Sequence, residues 1–316
     1  MVTGGAGFIG SHTIKALLDL GYETVCVDDF NGYYDPAIKK RNVSQFRGVK
    51  GFTLYRQDIT DLKAMSSIFK KEKPARVCHL AARAGVRASI EDPFIYEKVN
   101  VRGTLNMLEL ARLNNVGNFV LASSSSVYGN NKKIPFSETD NVDYPISPYA
   151  ATKKAAELLA YNYHHLYSLN CTCLRFFTVY GPFGRPDMAP YLFTDAIYKG
   201  RKINRFGDGT SKRDFTYVSD IVSGIVSALG VKPGYEIINL GNNNPVELNY
   251  FISLIEKALG RKAVINQLPP QAGDVNITYA DISKAKKLLG YTPKTGIEEG
   301  LKFLVDWYLK TAGTRR

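Results

Sequence analysis

Several things are missing from this sequence, and each absence excludes a class of protein. No apolar run approaches the ~18–20 residues that a membrane helix needs, so no membrane partner is expected. The opening, MVTGGAGFIG, has neither a basic stretch nor a cleavage-like site. No signal peptide is visible in it, and a cytoplasmic protein is expected. Cysteine is scarce: Cys26, Cys78, Cys171 and Cys173 form no CxxC and lie in apolar, strand-like runs. Buried thiols without a metal or redox role are the expectation. There is no internal repeat, no low-complexity segment, no long run of Lys and Arg and no zinc-finger spacing. The chain is basic all the same, with 41 Lys+Arg against 29 Asp+Glu, a net +12. Because the basic residues are spread along the chain, nucleic acid is an improbable partner. A solvated basic surface, or attraction of a small polyanion, accounts for the charge better.

What is present is ordinary for a globular enzyme. The 316 residues, 45% hydrophobic and 22% charged, suggest about two domains with a sizeable core. Apolar strand-like runs at 24–28, 52–56, 75–80 and 118–122 alternate with helical patterns at roughly 8–20, 93–113 and 148–169. This order predicts an α/β fold, a Rossmann-type doubly wound parallel sheet. After about Val179 the pattern breaks into Pro/Gly-rich loops. Residues 1–178 are therefore expected to form the dinucleotide-binding domain and 179–316 a smaller C-terminal α/β substrate lobe. Residues 213–241 are expected to return to the first domain. Only Met1, Val2 and Thr3 precede the glycine turn, so the first strand is short, and residues upstream of Met1 are expected in the natural chain.

Gly4, Gly7 and Gly10 allow a tight turn and close backbone approach to a pyrophosphate at a helix N-terminus. Alone the pattern also fits an ordinary turn. Asp28, 18 residues after Gly10 at a strand end, stands near the ~20 expected for an acid on the adenine ribose. A carboxylate there repels a 2′-phosphate, which favours NAD over NADP. Asp29 could share that role. Asp58, ending the next strand, suits either an adenine contact or a helix cap after Thr60.

Tyr149 and Lys153 are one of three YxxxK pairs, with Tyr128/Lys132 and Tyr198/Lys202. Placement favours the middle pair. Ser147-Pro148 is a good helix start, which puts Tyr149 and Lys153 one turn apart on one face. Free tyrosine, with a pKa of ~10, is a poor base at neutral pH. A nearby ammonium and the charge of an oxidised nicotinamide would favour the phenolate. Ser123, Ser124, Ser125 and Ser126 close a predicted strand at the sheet edge where α/β proteins bind ligands.

Together the glycine loop, Asp28, the serine cluster and Tyr149/Lys153 resemble the extended short-chain dehydrogenase/reductase family of NAD-dependent epimerases and dehydratases. His79-Leu80-Ala81-Ala82, Asn100-x-x-Gly103-Thr104, Val127-Tyr128-Gly129 and the run from Arg213 to Val218 extend the likeness over the whole chain. The resemblance implies retained NAD and a nucleotide-sugar lobe. It places Phe8, Ile9, Ile59, Leu80, Ala81, Ala82, Asn100 and Phe176 at the cofactor beside the glycines, Asp28 and Asp58. It makes Ser124 the serine that polarises the sugar hydroxyl beside Tyr149, and it implies a homodimer.

Sugar dehydratases of this family carry Asp-Glu after that serine or threonine, and the sugar-acid decarboxylases carry Glu at the second position. This chain has Ser125 and Ser126 there. Hydroxyls cannot supply the acid/base pair for water elimination, so a 4-epimerase is expected instead. Ala84-Gly85-Val86-Arg87-x-Ser89, the segment from Phe176 through Thr178 to Pro182 and Gly184-Arg185-Pro186-Asp187-Met188 resemble the UDP-glucuronate 4-epimerases. By that resemblance the favoured substrate is UDP-glucuronate. Arg185 is the candidate for its carboxylate, Arg213 for the diphosphate, and Arg87 a weaker one. A 4-keto uronic acid loses CO₂ readily. Ser125, Ser126, Thr178 and Arg185 are expected to hold the carboxylate out of the alignment that permits loss. Two departures stand out: Asp29 where Asn is common, and Pro190-Tyr191 in the expected uracil region. Two other readings compete, a 4-epimerase of UDP-glucose and UDP-galactose, and a nonenzymatic NAD-sensing Rossmann protein.

Overall fold

A computed structural model describes residues 1–269 and 276–312. Strand β1 (Val2–Thr3) runs into the glycine turn and helix α1 (Phe8–Asp19). There follow β2 (Thr24–Asp28), α2 (Pro36–Ser44), β3 (Phe52–Arg56), α3 (Leu62–Glu72) and β4 (Arg76–His79). Next come α4 (Val86–Glu91), α5 (Pro93–Tyr96), α6 (Thr104–Leu113), β5 (Asn118–Ser124), α7 (Pro148–Tyr167) and β6 (Cys171–Phe176). The single helix expected over 93–113 is α5 and α6 joined by a π-helical turn, Glu97–Gly103. That turn carries Asn100, whose amide reaches back to the loop after β4 and across to α7. Extra turns of this kind redirect a side chain without ending the helix.

The chain then builds a second lobe. It contains β7 (Thr178–Tyr180), α8 (Ala189–Tyr198), β8 (Lys202–Phe206) and β9 (Lys212–Tyr217). Helix α9 (Val218–Gly230) and β10 (Tyr235–Leu240) go back to the first sheet. Last come β11 (Pro245–Glu247), α10 (Leu248–Leu259), β12 (Val264–Leu268), β13 (Ile277–Thr278), α11 (Ser283–Leu289) and α12 (Ile297–Ala312).

The main sheet has seven strands in the order β10-β6-β5-β4-β1-β2-β3, all parallel. Short β1 is central: Val2 pairs with Cys26 and Cys78, and Thr3 with Val27 and His79. Side chains alternate between two covered faces, as parallel strands require. One face gathers Val2, Cys26, Cys78 and Leu174 with Ile14 of α1 and Ile221 and Ile225 of α9. The other gathers Val27, Val77, Phe119, Leu121 and Cys173 with Met107 of α6 and Ala156 of α7. All four cysteines are buried free thiols.

The return to the first sheet, expected from residue 213, begins at Val218. Residues Lys212–Tyr217 belong to the small sheet, where β9 pairs with β7, β11 and β13. Buried Asp214 of β9 knits the lobes together by accepting the backbone N–H of Asn242, Asn243 and Ala280. Ala285, Leu289 and Tyr291 also pack into the first core, so the tail of the chain crosses back as well.

Candidate active site

Strand order reverses on either side of β1 and β4, and a crevice opens there at the carboxyl ends of the strands. The cleft is about 1160 Å³. That exceeds the ~300–1,000 Å³ of a site for one small ligand and gives room for a dinucleotide and a nucleotide sugar together.

Glycines make the first wall. Gly4 has φ +68, and a Cβ on it would lie 2.7 Å from Ala81 N. A Cβ on Gly10 would run into the Gly4 carbonyl. Gly7 caps α1 with no side-chain hydrogen bond, so the first-turn N–H groups at Phe8 and Ile9 stay open to an anion. These residues fit the pyrophosphate of NAD: bare backbone, a helix start and a surface that any side chain would spoil.

Asp28 sits deeper than the sequence suggested. Its side chain is 2% exposed, and Oδ1 accepts Phe30 N and Lys39 Nζ, both at 2.9 Å. Oδ2 accepts Ala6 N at 3.2 Å, so Asp28 also braces the glycine turn. Lys39 lies 3.6 Å from Asp29 Oδ1 as well. Burial alone would raise the Asp29 carboxyl, yet the Asn31 hydrogen bonds and the Lys39 cation hold it below its ordinary value. The acidic end of the cleft is thus a two-carboxylate site bridged by one lysine. Sequence reasoning missed Lys39, although Asp35-Pro36 is a helix-start signal that places it one turn into α2.

Asp58 lines the cleft, and its carboxylate accepts Thr60 N at 2.8 Å. The cap of α3 is Asp61, which accepts Ala64 N at 3.0 Å. Ile59, Leu80, Ala81, Ala82 and Phe176 line the same wall. Asn100 does not border the cleft. It is 1% exposed and spends its amide on Arg83 N, Arg83 O and Thr152 Oγ1, which fixes the Ala82–Gly85 loop from behind.

At the centre, Ser147 caps α7 by accepting Ala150 N at 3.1 Å, and Pro148 fills the first helical position. Tyr149 and Lys153 then face the end of β5, where Ser124 accepts Ser126 N at 3.1 Å. The other YxxxK pairs do not come together at this centre: Tyr128 is core and Lys132 exposed, and of Tyr198 and Lys202 only Lys202, on β8 of the second lobe, borders the cleft. Lys153 Nζ donates to Ala122 O at 2.7 Å, and burial pulls its pKa down to about 8. Burial holds the Tyr149 phenol above its ordinary value, and the Ser124 hydrogen bond and the Arg185 cation offset part of that rise. The cation acting on Tyr149 among the protein's own groups is therefore Arg185, with Lys153 turned to the strand end.

Arg185 is not a loose surface arginine, since its side chain is only 19% exposed. Nε and Nη2 bind Asp187, at 3.0 and 2.5 Å. Nη2 also donates to Ala84 O at 3.3 Å, and the guanidinium lies 5.4 Å over the Tyr33 ring. The bidentate edge expected for a substrate carboxylate is thus held by Asp187, and the Nη1 side is left for a ligand. Tyr33 and Tyr96 hydroxyls converge on the same Ala84 carbonyl, at 2.6 and 3.0 Å. Gly85, φ +114, is what lets them in, since a Cβ would stand 2.8 Å from the Tyr33 hydroxyl.

Ser125, Ser126 and Thr178 line the cleft beside these groups. Arg87, over the Phe206 ring at 5.0 Å, and Arg213, at 3.0 Å from Lys212 O, line the lobe side. Pro190 and Tyr191 are turned away: Tyr191 packs on Trp307 and Tyr308.

A family profile described as GDP-mannose 4,6 dehydratase matches residues 1–304. The chain belongs to this family. Within it, the chain is 49% identical to UDP-glucuronate 4-epimerase of Thermodesulfobacterium geofontis, over 97% of this chain and 95% of that protein. The crystal structure of UDP-glucuronic acid 4-epimerase from Bacillus cereus in complex with UDP-glucuronic acid and NAD superposes with TM-score 0.92. It is 37% identical and covers 98% of both chains. UDP-glucose 4-epimerase of Thermotoga maritima, with UDP-glucose, is 34% identical at TM-score 0.90, again over 98% of both chains. The dehydratase description names the family; at Ser125 and Ser126 this chain has hydroxyls and not the Asp-Glu pair expected of the dehydratases.

Proposed function

We propose that this chain is a UDP-glucuronate 4-epimerase, an isomerase that interconverts UDP-glucuronate and UDP-galacturonate through a transient 4-keto sugar. The observation that carries the reading is Arg185, held in the cleft beside Tyr149, with hydroxyls instead of carboxylates at Ser125 and Ser126. Tyr149, as phenolate, takes the 4-hydroxyl proton, and Ser124 holds that hydroxyl by hydrogen bonding. Bound NAD supplies the acceptor, and then the donor, of the hydrogen at C4. The keto sugar turns over in the cleft, and Tyr149 returns the proton to the opposite epimer. Arg185 meets the uronate with its Nη1 side, while Ser125, Ser126 and Thr178 surround the carboxylate. Arg87 and Arg213 supply positive charge for the diphosphate.

UDP-glucose is the second substrate to try. Asp187 already satisfies the Arg185 charge, so a neutral sugar strands no buried cation. A cytoplasmic protein is proposed, its four cysteines being free and buried. A homodimer is proposed as well, through the outward apolar faces of the helices at 93–113 and 148–167.

Purified protein incubated with UDP-glucuronate and no added NAD is expected to form UDP-galacturonate, followed by the anomeric protons in NMR spectra. No conversion, even with NAD supplied, would reject the glucuronate reading.

A further inference from the structure

Helix α7 carries a third ionisable residue on the face of Tyr149 and Lys153: Glu157, four residues further on. It is 0% exposed. Its Oε1 accepts the Ser123 hydroxyl at 2.6 Å and Arg175 Nε at 2.8 Å, and Oε2 accepts Arg175 Nη2 at 2.8 Å. Arg175 reaches over from β6 and is 1% exposed. Its guanidinium lies 4.8 Å over the Tyr128 ring, and its Nη1 is buried with no hydrogen-bond partner among the described residues. Neither Glu157 nor Arg175 lines the cleft.

A buried ion pair is weak evidence for stability, because apolar residues of similar volume often serve as well. What distinguishes this pair is what it touches. Ser123 and Ser124 are consecutive at the end of β5, and Ser123 lies opposite Arg175 in the β5–β6 register. Lys153 donates to Ala122 O, the residue before Ser123. Glu157 and Lys153 therefore grip the same strand end, one turn apart.

We propose that Glu157, clamped by Arg175 and Ser123, is a positioning residue that keeps Lys153 an ammonium and fixes the strand end presenting Ser124. The inference rests on the epimerase reading, in which Ser124 and Lys153 flank Tyr149. The surrounding charges act consistently. Against the lowering of Lys153 by burial, Glu157 is the leading group that raises it, and the Cys173 thiol on β6 adds a little. On β4, His79 is held to about 3 by burial and by the Lys153 charge, so it is neutral at working pH. Tyr149 shares the helix face, and Arg175 offsets part of the Glu157 charge. As an ammonium Lys153 makes a charged, stronger hydrogen bond to Ala122 O at the strand end, so activity falls as pH rises through its pKa. Loss of the Glu157 charge lowers that pKa and moves the fall to lower pH.

Glu157→Gln and Glu157→Asp test this, each read in two ways. One is the pH profile of kcat for UDP-glucuronate. The other is the pH dependence of Lys153 acetylation by acetic anhydride, followed by peptide mass spectrometry. Glu157→Gln should move the alkaline limb and the acetylation midpoint down by about one pH unit. Glu157→Asp, which keeps the charge, should leave both near the wild-type position even where kcat drops. If Glu157→Gln only scales kcat equally at every pH, or if both variants shift alike, the proposal is overturned. Should Glu157→Gln fail to fold, Glu157→Gln with Arg175→Met removes both charges together, and a smaller downward shift is expected, because the cation that offset Glu157 goes with it. Acetylation does not depend on turnover. A wild-type protein inactive on UDP-glucuronate would reject the epimerase reading, while the midpoint shift would still decide the role of Glu157 towards Lys153.

Discussion

On the proposed reading, Arg185 combines two roles in one guanidinium. Asp187 and Ala84 O fix it, Tyr33 supports its face, and its charge stabilises the Tyr149 phenolate. Arg185→Met should therefore act twice. Loss of the cation raises the Tyr149 pKa, and because the phenolate is the working form, the acid limb of the kcat profile should move to higher pH. Loss of the carboxylate contact should raise KM for UDP-glucuronate about 30-fold, from a charged hydrogen bond worth about 2 kcal/mol. KM for UDP-glucose should barely change. A freed carboxylate can also reach the alignment for CO₂ loss, so NMR should show UDP-xylose-type product growing beside the epimer. Unchanged selectivity with no decarboxylated product would remove Arg185 from substrate recognition. At this scale the sequence was informative where a local signal existed. Ser147-Pro148 singled out Tyr149 and Lys153, strand ends marked Asp28 and the run Ser123 to Ser126, and the family resemblance picked Ser124 out of that run. Tyr33, Glu157 and Arg175 were not legible, because their partners sit on other elements, and Lys39 had only the Asp35-Pro36 helix start to mark it. Asp187 stood in the quoted GRPDM run, but nothing local marked it as the partner of Arg185.

The turn between β1 and α1 depends on having no side chains at set points, and the requirement is graded along it. A Cβ on Gly10 meets backbone of Gly4 and Gly5, whereas one on Gly7 meets only Gly4 O at 3.1 Å. Backbone cannot move aside as a side-chain tip can. Gly10→Ala should lower stability by about 1–3 kcal/mol, the usual cost of overpacking, and abolish retained NAD. Gly7→Ala should do so only partly. Thermal melts, with chromatography of nucleotide released on denaturation, measure both effects; equal NAD content in the two variants would refute the grading. Elements built on local periodicity were legible: β2 and β3 lie where alternation and strand-end acids put them. The π turn at Glu97–Gly103 was not, because it departs from helical geometry where Asn100 clamps the Arg83 loop and α7. Nor was the membership of β9 in the small sheet, since pairing with β7, β11 and β13 is a long-range fact.

Over the whole molecule, α7 is apolar on more than the side that meets the sheet. Ala150, Ala156, Ala160 and Tyr163 are buried inward, yet Leu158, Tyr161, Leu166 and Tyr167 are exposed on the same helix. Phe94 and Leu113, at the two ends of the 93–113 helical stretch, are exposed as well. One exposed leucine needs no explanation, but several on two helices packed side by side suit a self-complementary interface. Two copies related by a two-fold axis would bring four helices together. Each α7 would then hold Lys153 and Tyr149 on one face and its partner on the other, which stiffens the catalytic helix. Light scattering should accordingly give twice the 35.1 kDa chain mass at micromolar concentration. Leu158→Glu would set like charges against each other across the axis and should yield a folded monomer that still epimerises, with a lower melting temperature. A wild-type monomer, or a Leu158→Glu dimer as stable as wild type, would show that this face is solvated and that α7 is held by the first domain alone.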